Sequence, residues 1–188
     1  MLKTSLLAAA AAAAMVVSVS ASAQAPALDP QNTILLDLKN NCRVTIRLRP
    51  DLAPKMVERV KTLTREGFYN NTPFHRVIDG FMAQGGDPTG TGGGGSKLPN
   101  VPGEFTNSAH FLRGTVGAAR TNDPDTANSQ FFIMFDATPS LDGKYTIFGN
   151  VVSGMDCVDA IKKGSGGSGS VSNPDRIVRM QLAADAKG

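Results

Sequence analysis

The chain has 188 residues, and its 19 Lys and Arg against 16 Asp and Glu give a formal charge of +3 with no block of like charge. That balance gives no reason to expect a nucleic-acid partner. With only two cysteines and two histidines, His75 and His110, a zinc site is not expected, since such sites use three or four close-set nitrogen or sulfur ligands; carboxylate-only sites are left open by this count.

Residues 1–23 read as an address. One positive charge at Lys3 precedes an Ala-rich apolar run over about 6–19, and Ala21, Ser22 and Ala23 form a small-x-small cleavage pattern. The run is shorter than the roughly 20 apolar residues a membrane span needs, so a cleaved export signal is expected and no anchor afterwards. Export would leave 188 − 23 = 165 residues with a charge of +2, enough for one domain. Residues 24–32 read as a flexible lead-in and 33–188 as that domain. Cys42 and Cys157 would meet an oxidising compartment, where pairing is allowed. Their separation in sequence says nothing of their distance, and separate burial as small hydrophobes is the simpler expectation.

The run TILLDL from Thr33 is rich in strand formers, and beyond Asn40 and Asn41 the apolar Val44, Ile46 and Leu48 alternate with Arg43, Thr45, Arg47 and Arg49. This predicts a β-hairpin with one buried face. Asp51 then precedes Leu52, Met56, Val57, Val60 and Leu63, with Gly67 as a stop, which is the spacing of an amphipathic helix. Strand-like runs follow at 74–78, 115–119, 130–135 and 145–148, a shorter helix fits 154–163, and RIVRMQLA supplies a last strand. Many strands with two separated helices predict a closed or nearly closed β-barrel with helices at its ends.

Most catalytic motifs fail on inspection. Residues 90–95 satisfy GxGxxG, but Ser96-Lys97 reverses the order a P-loop requires, and the prolines in KLPNVPG oppose the helix a phosphate cradle needs. There is no HExxH and no G-x-S-x-G elbow. His75 could serve as a general base, although a packed strand histidine is the commoner case. What remains is FHRVIDGFMAQGGD at 74–87, which interleaves the permanent cation Arg76 with Phe81, Met82 and the amide of Gln84. Alternation in SQFFIMF puts Gln130 and Phe132 on one face and Phe131 on the other. Read from composition alone, these aromatics are plain core and Arg76 a surface charge.

FHRVIDGFMAQGGD, GTVGAAR, NSQFFI, LDGKYTIFG and GMDCVDAI, in this order and spacing, resemble the cyclophilin family of peptidyl-prolyl cis-trans isomerases over about 33–182. The resemblance implies a mainly β fold, a closed eight-stranded antiparallel barrel capped by two α-helices. It implies Arg76 as the catalytic arginine and Phe81, Met82, Phe132 and Leu141 as the wall of a proline pocket. Gln84 would bind the substrate backbone, Ala119 and Arg120 would form the strand segment along which the peptide lies, and Gln130 would be a further site residue. Tyr145 stands where many members carry His. No metal or cofactor is implied, and the expected partners are unfolded or folding polypeptides containing X-Pro bonds, met by a monomer in the periplasm or outside the cell. Ser140 occupies a position that often carries Trp, which implies weak cyclosporin sensitivity. Two other classes compete with an isomerase: a proline-peptide binding module or chaperone with incidental turnover, and a barrel that binds small ligands or glycans.

Overall fold

Asn40 and Asn41 take φ of 59° and 56° and reverse the chain between β1 (Thr33–Leu38) and β2 (Cys42–Leu48). Asn tolerates this left-handed region better than most residues. The computed structural model describes residues 27–186; the expected export signal over 1–23 lies outside them. Within the expected lead-in, residues Pro30–Asn32 form a 3-10 turn capped by the Asp29 carboxylate.

Eight strands make one antiparallel sheet in the order β3-β4-β6-β5-β7-β2-β1-β8. The others are β3 (Arg76–Ile78), β4 (Met82–Gly85), β5 (Thr115–Ala118), β6 (Phe131–Met134), β7 (Ile147–Ser153) and β8 (Arg179–Leu182). Two register shifts on β7, opposite Thr45/Ile46 and Val116/Gly117, give the sheet its curvature. The expectation of a closed barrel needs correcting, because no ladder joins β3 to β8. The gap is spanned by one bridge between Pro73 and Arg176 and by backbone bonds such as Phe74 N–H to Asp175 C=O (2.9 Å). Pro73 has no N–H to donate, so a regular ladder cannot form there.

Among the described residues, two α-helices accompany the sheet. In α1 (Pro54–Arg65) the side chains of Met56, Val57, Val60 and Leu63 are buried, and Gly67 follows at φ +70° as the expected stop. Asp51 pairs with Arg49 at 2.7 Å, while the helix begins at Pro54 and the Glu104 carboxylate accepts from Lys55 N–H (3.0 Å) and Met56 N–H (2.9 Å). The second helix, α2 (Met155–Asp159), is shorter than the expected 154–163, since Lys162 N–H goes to the Asp175 carboxylate at 2.9 Å instead of to a helix carbonyl.

The interior is filled by Ile34, Leu36, Val44, Ile46, Val60 and Ile133, each at most 1% exposed, so the barrel leaves no room for a ligand inside. A smaller apolar cluster, Met82, Phe111, Phe132, Met134 and Ile147, forms away from this core on the other face of the sheet. The cysteines depart from expectation: Cys42 and Cys157 form a disulfide with Cα atoms 5.6 Å apart. The register that brings the end of the β1–β2 hairpin against α2 sets that distance, and it cannot be read from spacing.

Candidate functional site on the outer face of the sheet

Strand register lines up the site. Arg76 pairs with Gln84, Gln84 with Phe132, and Phe132 with Gly117, giving one row across β3, β4, β6 and β5. Next to it, Ile78, Met82 and Met134 form a second row. Alternation turns Phe131 and Ile133 into the core and leaves Gln130 and Phe132 on the outer side, as the sequence pattern predicts.

A pocket of about 120 Å³ lies over these rows, lined by Arg76, Phe81, Met82, Gln84, Ala119, Arg120, Phe132, Leu141 and Tyr145. The structure thus brings nine of the ten expected residues around one cavity. The tenth, Gln130, touches Gln84 from the adjoining polar groove, which the 92–96 loop, Asn100, Thr121 and Asn128 complete. Phe132 forms the floor, 5% exposed, stacked on Phe111 (5.6 Å between ring centres, 22° between planes) and met edge-on by Tyr145 at 6.0 Å. Ala119 and Arg120 lie just past the end of β5 and so are not on a strand as expected, although Ala119 N–H still reaches Gln130 C=O at 3.0 Å. Arg120 spans the rim, its Cζ 4.2 Å from the Tyr145 ring centre and its Nη2 donating to Lys144 C=O at 2.7 Å.

Arg76 is held on two sides. Its Nε donates to Ser168 C=O at 3.1 Å and its Nη1 to Gln84 Oε1 at 3.1 Å, leaving Nη2 without a protein partner among the described residues. Gln84 Nε2 donates to Gln130 Oε1 (2.9 Å), and Gln130 Nε2 donates to the carbonyls of Gly92 (2.9 Å) and Gly94 (2.8 Å). The result is a fixed guanidinium, with one nitrogen free to donate, beside an apolar pocket. His75 is not part of it. The residue is 8% exposed and packs toward Gly92, its Nδ1 has no hydrogen-bond partner among the described residues, and burial holds its imidazole below the ordinary range, with Asp87 opposing that shift. The packed reading of this histidine therefore holds.

A family model described as "Cyclophilin type peptidyl-prolyl cis-trans isomerase/CLD" matches residues 34–182. The chain belongs to this family. Among curated relatives of this cyclophilin, a "Probable peptidyl-prolyl cis-trans isomerase" of Brucella suis biovar 1 is 53% identical over 175 residues, covering 87% of this chain and 88% of the relative. Among solved structures, cyclophilin AquaCyp293 from Hirschia baltica superposes with a TM-score of 0.76 at 28% identity, over 85% of this chain and 77% of that one. A Cryptosporidium parvum cyclophilin-type isomerase, crystallised in the presence of the dipeptide Ala-Pro, gives 0.72 at 29% identity, over 80% and 98%. The enzyme is thus a cyclophilin-type peptidyl-prolyl cis-trans isomerase.

Sequence reasoning missed several residues that shape this cyclophilin's pocket. An ideal Cβ on Gly117 would come within 2.5 Å of Phe132 Cζ and 2.7 Å of Phe111 Cε1, so any side chain there would force the ring stack to shift. A lone glycine inside a strand is a signal that could have found it. Asp142, next to Leu141, accepts from Phe111 N–H (2.8 Å) and pairs with His110 Nδ1 (2.8 Å); those hydrogen bonds hold its carboxyl below the usual range and tie the segment carrying Leu141 to the Phe111 segment beneath the floor. Ser168, whose carbonyl fixes Arg76, lies in a glycine-rich tract that gave no local signal of contact with the site.

Proposed function

We propose that Arg76 catalyses rotation about X-Pro bonds by donating from its guanidinium to the prolyl nitrogen. An X-Pro bond prefers trans by only about 0.5–1 kcal/mol, but amide resonance raises a barrier of about 18–20 kcal/mol between isomers. At the twisted transition state the nitrogen becomes pyramidal and regains its lone pair, so a donor there is worth more than in the planar ground state. The observation that carries this reading is the tethering of Arg76 by Ser168 and Gln84 at the edge of an apolar pocket, with Nη2 unpartnered among the described residues. A planar, always-charged fork suits such a fixed donor better than a lysine. Phe81, Met82, Phe132 and Leu141 hold the proline ring, and Gln84 binds the moving carbonyl side. The Ala-Pro dipeptide used with the Cryptosporidium relative supports a substrate of this kind. Ala119, Arg120, Gln130 and Tyr145 flank the path of the residues before the proline.

The clients in this proposal are folding chains exported along with the enzyme. The export signal read over residues 1–23 and the Cys42–Cys157 disulfide, of a kind that persists in oxidising compartments, support a periplasmic site of action. The enzyme acts as a monomer in this proposal. A protease-free isomerisation assay run beside an aggregation-suppression assay tests the function, and cell fractionation tests the compartment. Acceleration of X-Pro rotation at concentrations that suppress no aggregation is expected. Suppression without acceleration would identify a binding module instead.

A further inference from the structure

The GxGxxG tract that fails as a phosphate cradle does surround an anion, and that anion belongs to the chain itself. Asp87 is fully buried, and its carboxylate accepts from the N–H groups of Thr89 (2.8 Å), Gly92 (2.7 Å) and Gly94 (3.1 Å) and from Thr89 Oγ1 (2.8 Å). Burial alone would raise its carboxyl, but the bonds from Thr89, Gly94 and Gly92 outweigh this and keep it ionised. Gly94 is required by contact, since a Cβ there would lie 2.0 Å from Asp87 Oδ1.

We propose that Asp87 is a positioning residue for isomerisation, which fixes the polarity of the amide relay ending at Arg76. The carboxylate pins the backbone of Gly92 and Gly94, and their two carbonyls take both N–H bonds of the Gln130 amide. Gln130 must then turn Oε1 toward Gln84. Gln84 in turn must spend its Nε2 on Gln130 and present Oε1 to Arg76. A flipped Gln84 would aim N–H groups at a guanidinium that has only donors, and a flipped Gln130 would aim them at Gln84 Nε2 and favour that same flip; in both cases Arg76 would lose one of its two tethers. Misplacement of a reacting group by about 1 Å can cost about 10²-fold in rate. The pocket that holds the proline ring does not depend on this loop, so the effect falls on turnover more than on binding.

The proposal rests on Arg76 acting on the prolyl nitrogen, and the test separates the two. kcat and KM for an X-Pro peptide are measured for wild type, Asp87→Ala, Gly94→Ala, Gln130→Ala, the Asp87→Ala/Gln130→Ala double variant and Arg76→Ala. Asp87→Ala and Gly94→Ala are expected to lose about tenfold in kcat with KM within about twofold, and Asp87→Ala to add nothing once Gln130 is Ala. Wild-type kcat in folded Asp87→Ala, or losses that multiply in the double variant, would overturn the positioning role while leaving that of Arg76 intact. An unaffected Arg76→Ala would overturn both. Should the variants not fold, side-chain amide exchange in the wild type still decides. Slow exchange of the Gln130 NH2 protons is expected, and solvent-like exchange would overturn the proposal.

Discussion

Gly117 shows how much of the site depends on single atoms. Its missing Cβ lets Phe111 and Phe132 stack beneath the pocket, and Gly117→Ala would put a methyl group 2.5 Å from the Phe132 ring. Overpacking of this kind typically costs about 1–3 kcal/mol, so we expect a lower denaturation midpoint and a raised KM for X-Pro peptides; unchanged values would mean that the rings give way freely. Ser140, exposed beside Leu141, is a second single-residue test. Cyclosporin should bind weakly, and Ser140→Trp should lower the inhibition constant, whereas a wild-type constant already matching sensitive members would contradict the reading. His75 governs a third. Because burial depresses its folded pKa, the neutral ring contributes stability that is whole above its ordinary pKa of about 6.5 and is lost as pH falls through the folded value. Unfolding free energy should therefore decline below about pH 6.5, and His75→Gln should flatten that segment. Asp51, Asp159 and Asp175, all held below the ordinary range, add their own losses only below about pH 4.

At the scale of elements, the two long-range ties matter most. The disulfide closes a loop of 115 residues between the β1–β2 hairpin and α2. Chain entropy values such a loop at roughly 4–5 kcal/mol, and native disulfides in practice at about 2–5 kcal/mol. Reduction, or Cys42→Ala with Cys157→Ala, should lower the melting temperature in proportion while sparing isomerisation at room temperature, because the bond lies away from the pocket. A melting temperature insensitive to reductant would contradict this. Glu104 caps α1 from across the molecule, and Glu104→Ala should cost about 0.5–2 kcal/mol by denaturant titration. Local periodicity made the hairpin, α1 and the face of β6 legible in the sequence. It could not show the Glu104 cap, since Asp51 carries the same local signal but is drawn to Arg49. The strand β4 went unread, as its four residues end at Gly85 with Gly86 next, and three of them are buried, so they do not alternate.

Over the whole molecule, the fold matters because its register joins segments that are distant in sequence. Arg76, Gln84, Phe132 and Gly117 share a row only once β3, β4, β6 and β5 are paired. The sequence held these residues in three separate motifs, and resemblance to a family was needed to assemble them, since composition alone favoured plain core and a surface charge. The parts that stayed hidden, namely the disulfide, the carbonyl of Ser168 behind Arg76 and the loop wrapped around Asp87, all depend on contacts between segments with no shared local pattern. The scarcity of histidine that first argued against zinc also fits a reaction in which no proton is transferred. The measurement that bears most directly on this account is the isomerisation rate of an X-Pro peptide with wild type and Arg76→Ala, both shown to be folded. Loss of a preorganised transition-state donor should lower kcat/KM by about 10²–10³-fold, and an unchanged rate would contradict the role given to Arg76.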